Sequence, residues 1–243
     1  MSKSLVIVIA EGSEQDALYP NLKKIGKKLK IHFEIMGTDV FTAKENVNKS
    51  PKAIVGDIIK EITCKPEFNK RDIKLVVQLT DTDGVYIADD KIVIKESQKE
   101  KTKYTFENIQ VNCLNQHRMI TNRNIKKRVA LNTLSRTEKV AKTVNYKILY
   151  FSRNLDHIIS DNPDTLKSEK SREADAFSNS FATPHDFENF FTTSEFTVDG
   201  TYDATWDFIK GGKNSLKKIQ QFPPYFRNIK RNSSVKIKTK MNY

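Results

Sequence analysis

Residues 5–20 read LVIVIAEGSEQDALYP, and residues 73–87 read IKLVVQLTDTDGVYI. Each begins as a short, branched, continuously apolar run, the pattern of a parallel strand covered on both faces. Each then stops in acid: Glu11-Gly12 after the first run, Asp81-Thr82-Asp83-Gly84 after the second. Between them the spacing predicts a helix from about Ser13 to Lys30, with Ser13 as N-cap and Leu18, Leu22, Ile25 and Leu29 on one face. IHFEIMG (31–37) predicts a second strand that stops at glycine. Ser50-Pro51 is a cap followed by proline at the first helical position, opening a helix that carries Ile54, Ile58, Ile59 and Ile62. The order β-α-β-α-β implies an α/β fold in which a parallel sheet carries helices on both faces.

Further along, KIVIKES (91–97) and YTFENIQV (104–111) predict short strands, and YKILYF (146–151) a fourth core strand, with RNLDHII (153–159) starting a helix. The texture changes near Ser160. A polar stretch leads to a helix start at Thr183-Pro184 with Asp186 in its first turn, and Phe187, Phe190 and Phe191 share a face. TYDATWDFIKGGKNSLKKIQQF (201–222) predicts a helix broken at Gly211-Gly212 and resumed at about Ser215. The expected organisation is a core over residues 1–160, with a basic insertion at about 114–143, followed by a mostly helical addition over 161–243 that ends in a basic tail.

Lys and Arg number 42 against 30 Asp and Glu, a formal net charge of +12. Such an excess favours a polyanionic partner, nucleic acid before a membrane surface, because Lys and Arg neutralise phosphates and release counterions. The longest apolar run, Leu5 to Ala10, is far shorter than the roughly 20 residues of a membrane span, and no secretory signal is expected at the N-terminus. Cys64 and Cys113 stand in unrelated contexts, so neither a disulfide framework nor a zinc knuckle is expected. The cytoplasm is the expected compartment.

In a parallel sheet, side chains just past the carboxyl ends of the strands surround one crevice, where open α/β folds bind ligands. Glu11 is placed there by the first strand, and Asp81 and Asp83 by the third. If the chain at Asp81-Thr82-Asp83 is extended, the two aspartates point the same way. Three carboxylates would then converge with nothing basic in the adjacent sequence, which is costly unless a cation sits among them. Mg²⁺ suits such a set, and Mn²⁺ could replace it. The plainer readings are an exposed strand-end acid at Glu11, a simple turn at Asp81–Gly84, and a first-turn helix acid at Glu14.

A second signal is the segment Gln116 to Lys142. It contains Arg118, Arg123, Lys126, Lys127, Arg128, Arg136 and Lys139 against the single acid Glu138. It reads either as a groove for a phosphate backbone or as a solvated helix face. Stacking aromatics are absent from it, and Tyr225 and Phe226 in the tail are the candidates for that role. Gly211-Gly212-Lys213 is not a phosphate loop, since Asn214 follows the lysine where Ser or Thr is needed.

The apolar strand ending in Glu11-Gly12, the later one ending in Asp81-Thr82-Asp83, and the β-α-β-α-β order between them resemble the Toprim domain of topoisomerases, bacterial primases and several nuclease families. Glu14 matches the second acid of the overcoming-lysogenization-type nucleases, whose pattern is EG, two residues, then Glu. Small stand-alone Toprim proteins of bacterial phage-defence systems look similar, with a basic insertion after the DxD. The resemblance covers roughly residues 4–160. It implies an Mg²⁺-dependent nuclease acting on DNA or RNA, tRNA included, with Glu11, Asp81, Asp83 and Glu14 as metal ligands. Glu11 either holds the ion or serves as the acid–base group. Any ATP dependence is expected to come from a partner ATPase, and homo-oligomers are compatible with the pattern. Two alternatives stand beside this. One is a non-catalytic nucleic-acid-binding protein on the same scaffold. The other is a haloacid-dehalogenase-type phosphatase, with Asp81 as nucleophile and Asp83 as acid–base group, which leaves Glu11 unexplained.

Overall fold

A computed structural model describes residues 4–12, 14–37, 41, 48–162, 164–193 and 195–222. Ser13, Tyr225, Phe226 and the basic tail lie outside the described residues. In chain order the strands are β1 (Ser4–Ala10), β2 (Ile31–Gly37), β3 (Ile73–Asp81), β4 (Ile92–Ile94), β5 (Thr102–Tyr104), β6 (Ile109–Val111), β7 (Lys139–Val140), β8 (Val144–Ser152) and β9 (Ile219–Gln220). The helices are α1 (Glu14–Leu29), α2 (Pro51–Thr63), α3 (Leu114–Ser135), α4 (Leu155–Ser160), α5 (Lys167–Asn179), α6 (Pro184–Thr193) and α7 (Tyr202–Lys210).

The fold is mixed α/β with a mostly parallel central sheet. Its strands lie in the order β2-β1-β3-β8-β7; β2, β1, β3 and β8 are mutually parallel, while β7 and β9 pair antiparallel with β8. Every side chain of β1 from Leu5 to Ala10 is buried, so both of its faces are covered, as its uninterrupted apolar sequence requires. The polar intruder in β3, Gln78, is fully buried, and its Oε1 accepts a 2.6 Å hydrogen bond from the Tyr146 hydroxyl of β8. Helix α1 lays Ala17, Leu18, Leu22 and Ile25 against the sheet. It comes so close that a Cβ on Gly26 would stand 2.5 Å from the Ile31 carbonyl oxygen. Ser50 caps α2 by accepting from the Ala53 N–H at 3.2 Å, and Ile54, Ile58, Ile59 and Ile62 are all buried.

Strands β4, β6 and β5 form a separate small sheet, whose residues Ile92, Ile109 and Val111 pack with Ile87, Ile120 and Leu216 in their own cluster. Beyond residue 160, Ala174, Phe177, Phe187, Phe191, Trp206 and Phe222 enter the same apolar core as the central sheet. A buried hydrogen bond of 2.8 Å from Asn21 Nδ2 to the Ser178 carbonyl ties α1 to α5. One expectation fails here. The chain after Gly211-Gly212 does not resume as a helix at Ser215; it makes a single 3₁₀ turn at Asn214–Leu216 and then pairs as β9 with Phe151 and Ser152. Leu216 and Ile219 have helical spacing, but with so few apolar positions the edge of β8 decides the conformation.

Candidate functional site

The site lies at the carboxyl ends of β1 and β3, which are neighbours in the sheet. Gly12, at φ +76, lets the chain leave β1 sharply, and Glu14 follows as the first residue of α1. Strand β3 runs two residues further than its apolar pattern, so Asp81 is still in the sheet. Its Oδ1 accepts from the Leu155 N–H of α4 at 3.0 Å. The extended geometry expected at Asp81-Thr82-Asp83 does not hold. Asp83 has φ +49 and Gly84 φ +66, so the chain turns there. The turn is held from three sides: Thr82 N–H donates to Phe151 O and Asp83 N–H to Arg153 O, both at 2.9 Å, and Gly84 N–H donates to Ser215 O at 3.1 Å.

The acids have a basic partner after all, delivered from 44 residues away. Lys127 of α3 is buried, with Nζ 2.9 Å from Asp83 Oδ2 and 3.6 Å from Glu11 Oε2. The side chains of Glu11 and Asp83 remain 17% and 30% exposed, so the lysine bridges two acids at an opening to solvent. Burial alone would depress the Lys127 ammonium, but the charges of Asp83 and Glu11 outweigh it and raise its pKa. Enclosure pushes the Asp83 carboxyl up, yet Lys127, Arg123 and Arg153 more than reverse this and leave it below the ordinary range.

Asp81 and Glu14 behave in the opposite way. Burial, then the charges of Glu14, Asp83 and Glu11, raise Asp81 well above the usual carboxylate range. Glu14 is 2% exposed and pushed up to about 8, by burial first and then by Glu11 and Asp156. Its Oε2 is buried with no hydrogen-bond partner among the described residues. Beside it, Asp156 of α4 is buried and ion-paired with Lys170 of α5.

Of the basic residues singled out from sequence, three turn inward along α3. Lys127 meets the acids. Arg123 donates to the Tyr104 hydroxyl at 2.7 Å and to the Asp83 carbonyl at 2.9 Å. Arg128 donates to Val85 O and Ile87 O and lies 3.6 Å from Asp89. Arg118, Lys126, Arg136 and Lys139 face solvent. Sequence reasoning missed Arg153, whose guanidinium lies 4.4 Å from the centre of the Tyr104 ring and pairs with Asp164. Its position directly after β8 was the available signal.

The donor type is the one a hard divalent cation takes. The residues offer carboxylate oxygens only, two of the acids hold raised pKa values through mutual repulsion and burial, and Glu14 Oε2 is a buried acceptor without a donor. Among the described residues, no three His, Cys, Asp or Glu side chains are drawn together in ligand geometry; the Lys127 ammonium stands between Glu11 and Asp83. No family model, curated protein or solved structure matches the chain. No helix among the described residues is long and apolar enough to cross a membrane.

Proposed function

We propose that the protein is a Mg²⁺-dependent nuclease whose metal is held by Glu11, Asp81 and Asp83 with Glu14 behind them, on a Toprim-like core, and that it serves as an effector in phage defence. The observation that carries this reading is the placement of Glu11, Asp81 and Asp83 at the carboxyl ends of two adjacent parallel strands, with Glu14 at the start of α1 close enough for the acids to raise one another's pKa values at Asp81 and Glu14. So many acids in one enclosed place raise the folding free energy unless a cation or protons compensate them. A bound divalent ion would supply Lewis acidity at a phosphodiester oxygen and a more acidic attacking water.

The chain's own groups have definable parts. Asp81 is oriented by the Leu155 N–H, and Asp83 by its turn and by Lys127. Lys127, held charged beside Asp83, is placed to neutralise a phosphate that enters the opening. Arg123 and Arg153 brace the Asp83 backbone through its carbonyl and N–H, so the turn keeps its shape as charge changes. The exposed Arg118, Lys126 and Arg136 of α3 and Lys139 of β7 supply positive surface for a phosphate backbone.

One observation favours a second reading, a metal-free nucleic-acid-binding protein. Lys127 already satisfies Glu11 and Asp83, as an internal cation would. Plasmid DNA, single-stranded DNA and total tRNA incubated with Mg²⁺, Mn²⁺ or EDTA separate the two. Cleavage that needs the metal and disappears in both Glu11→Ala and Asp81→Ala is the expected result. Binding without cleavage in all three proteins would favour the second reading.

A further inference from the structure

An open cleft of about 690 Å³ is lined by Phe106, Glu107, Gly211, Gly212, Lys213, Asn214 and Lys217. That volume is in the range of roughly 300–1,000 Å³ usual for small-ligand sites. Phe106 is 62% exposed, an unusual position for a large apolar ring. It is also rigidly presented. It sits in the Thr105–Asn108 turn between β5 and β6, where Thr105 N–H donates to Asn108 O, and Glu107 N–H and Asn108 N–H both donate to Thr105 Oγ1. Its ring leans on His157, with centroids 6.0 Å apart.

The opposite wall is equally fixed. Asn214 Nδ2 donates to Phe208 O at 2.8 Å, and Ser152 Oγ donates to Asn214 O at 3.0 Å. Gly211 and Gly212 are exposed, and a Cβ at Gly212 would meet nothing within 4 Å, so the backbone there stands open to a ligand. Lys217 is exposed, and the half-buried Lys213 pairs with the exposed Glu107. A surface pair of this kind is weak and readily exchanges its anion. Glu107 feels Lys213, Lys91 and Lys217 together, so the cleft is positive on balance.

The chain segments that line the cleft also hold the turn at Asp83. The Ser215 carbonyl, between Lys213 and Lys217, accepts from Thr82 Oγ1 at 2.9 Å and from Gly84 N–H at 3.1 Å, the residues on either side of Asp83. Tyr104, two residues before Phe106, accepts from Arg123, which also holds the Asp83 carbonyl. A rigid exposed ring facing lysines is the arrangement that takes a base on its face and phosphates at its rim. We propose that this cleft binds an unpaired nucleotide of a single-stranded nucleic acid, stacking its base on Phe106 and pairing its phosphates with Lys213 and Lys217. The proposal deepens the nuclease reading and rests on it for the use made of the bound strand.

The test is fluorescence anisotropy with the full chain in EDTA, using labelled 12-nucleotide single-stranded DNA and RNA of one sequence and the matching duplex. Phe106→Ala is expected to weaken single-strand binding about tenfold, with Phe106→Trp restoring it. The Lys213→Ala/Lys217→Ala double variant is expected to lower the slope of log K on log salt by about 1.4 for a single strand. Comparing the DNA and RNA strands identifies the sugar that the cleft accepts. Unchanged binding by Phe106→Ala, or equal loss for duplex and single strand, would overturn the proposal. Cleavage with Mg²⁺ is scored separately. Phe106-dependent binding without cleavage defeats the nuclease reading and leaves the cleft standing, whereas cleavage with Phe106-independent binding does the reverse.

Discussion

Lys127 is the residue with the most at stake. Its ammonium stands between Glu11 and Asp83, and removing one member of a buried ion pair leaves the other uncompensated. Lys127→Met is expected to cost about 3 kcal/mol of stability. Added Mg²⁺ should recover part of that loss, raising the thermal midpoint of the variant more than that of the unaltered chain. Equal shifts in the two proteins would remove the case for a shared cation position. His157 is a second residue with a definite prediction. It is 4% exposed and its pKa is lowered to about 4, by burial first, then by Arg153 and Lys218, with Asp161 and Asp164 opposing. The unfolded chain takes up this proton near pH 6.5 and the folded chain only near 4. The unfolded state therefore holds more protons in that window. The neutral histidine's contribution is fully present above about pH 6.5 and is lost as the pH falls toward 4. His157→Gln should flatten the slope of stability against pH across that interval, by about 3 kcal/mol in total. Denaturant melts at intervals of half a pH unit would reveal a slope that stays unchanged, if the assignment is wrong.

Two glycines govern how elements meet. Gly26 lies inside α1, where alanine would ordinarily gain about 1 kcal/mol of helix propensity. Its Cβ, however, would stand 2.5 Å from the Ile31 carbonyl and 2.9 Å from the Phe33 ring, and backbone cannot step aside as a side-chain end can. Gly26→Ala is expected to destabilise by about 2 kcal/mol net, because overpacking outweighs propensity. A rise in the denaturation midpoint would show that α1 can shift off β2. At Gly84 the obstacles add. The residue has φ +66, and a Cβ there would come 2.6 Å from Leu216 Cδ2. Gly84→Ala should therefore distort the turn that presents Asp83 and reduce the proposed nuclease activity with only a moderate loss of stability. Activity equal to that of the unaltered protein, with the turn mutated, would mean that Asp83 is not held by this geometry.

At the scale of the molecule, the residues after 160 complete the core of the sheet. Trp206 packs edge-on against Tyr150 with centroids 5.0 Å apart, and Phe222 meets Phe151 and Phe191. Strand β9 covers the end of β8, and Ser215 holds the turn at Asp83. A chain ended at residue 160 would expose Tyr150, Phe151 and much of α1. It is expected to be insoluble or rapidly proteolysed, while the full chain melts in one cooperative transition. A protease-resistant 1–160 fragment with its own sharp melt would show two independent units instead.

The four parallel core strands, their order along the chain and the acids at the ends of two of them were legible in the sequence by itself. Strands β5, β7 and β9 were not, and YTFENIQV (104–111) is a turn followed by β6 rather than one strand. Burial on both faces demands the unbroken runs at Leu5–Ala10 and Ile73–Leu79, and a strand end leaves an acid only one place to go. The cap at Ser50 and the apolar faces of α1 and α2 are equally local, so their residues announce them. Tertiary structure alone decided the rest. Asp83 is turned rather than extended because Phe151, Arg153 and Ser215, all distant in sequence, hold the Thr82–Gly84 backbone. The basic segment is divided because α3 lies against the sheet, sending Lys127 and Arg123 to the acids and leaving Arg118 and Lys126 in water. The cleft at Phe106 joins two turns about a hundred residues apart, each ordinary in sequence. Periodicity records which face of an element is buried; it carries no record of which other element will meet it there.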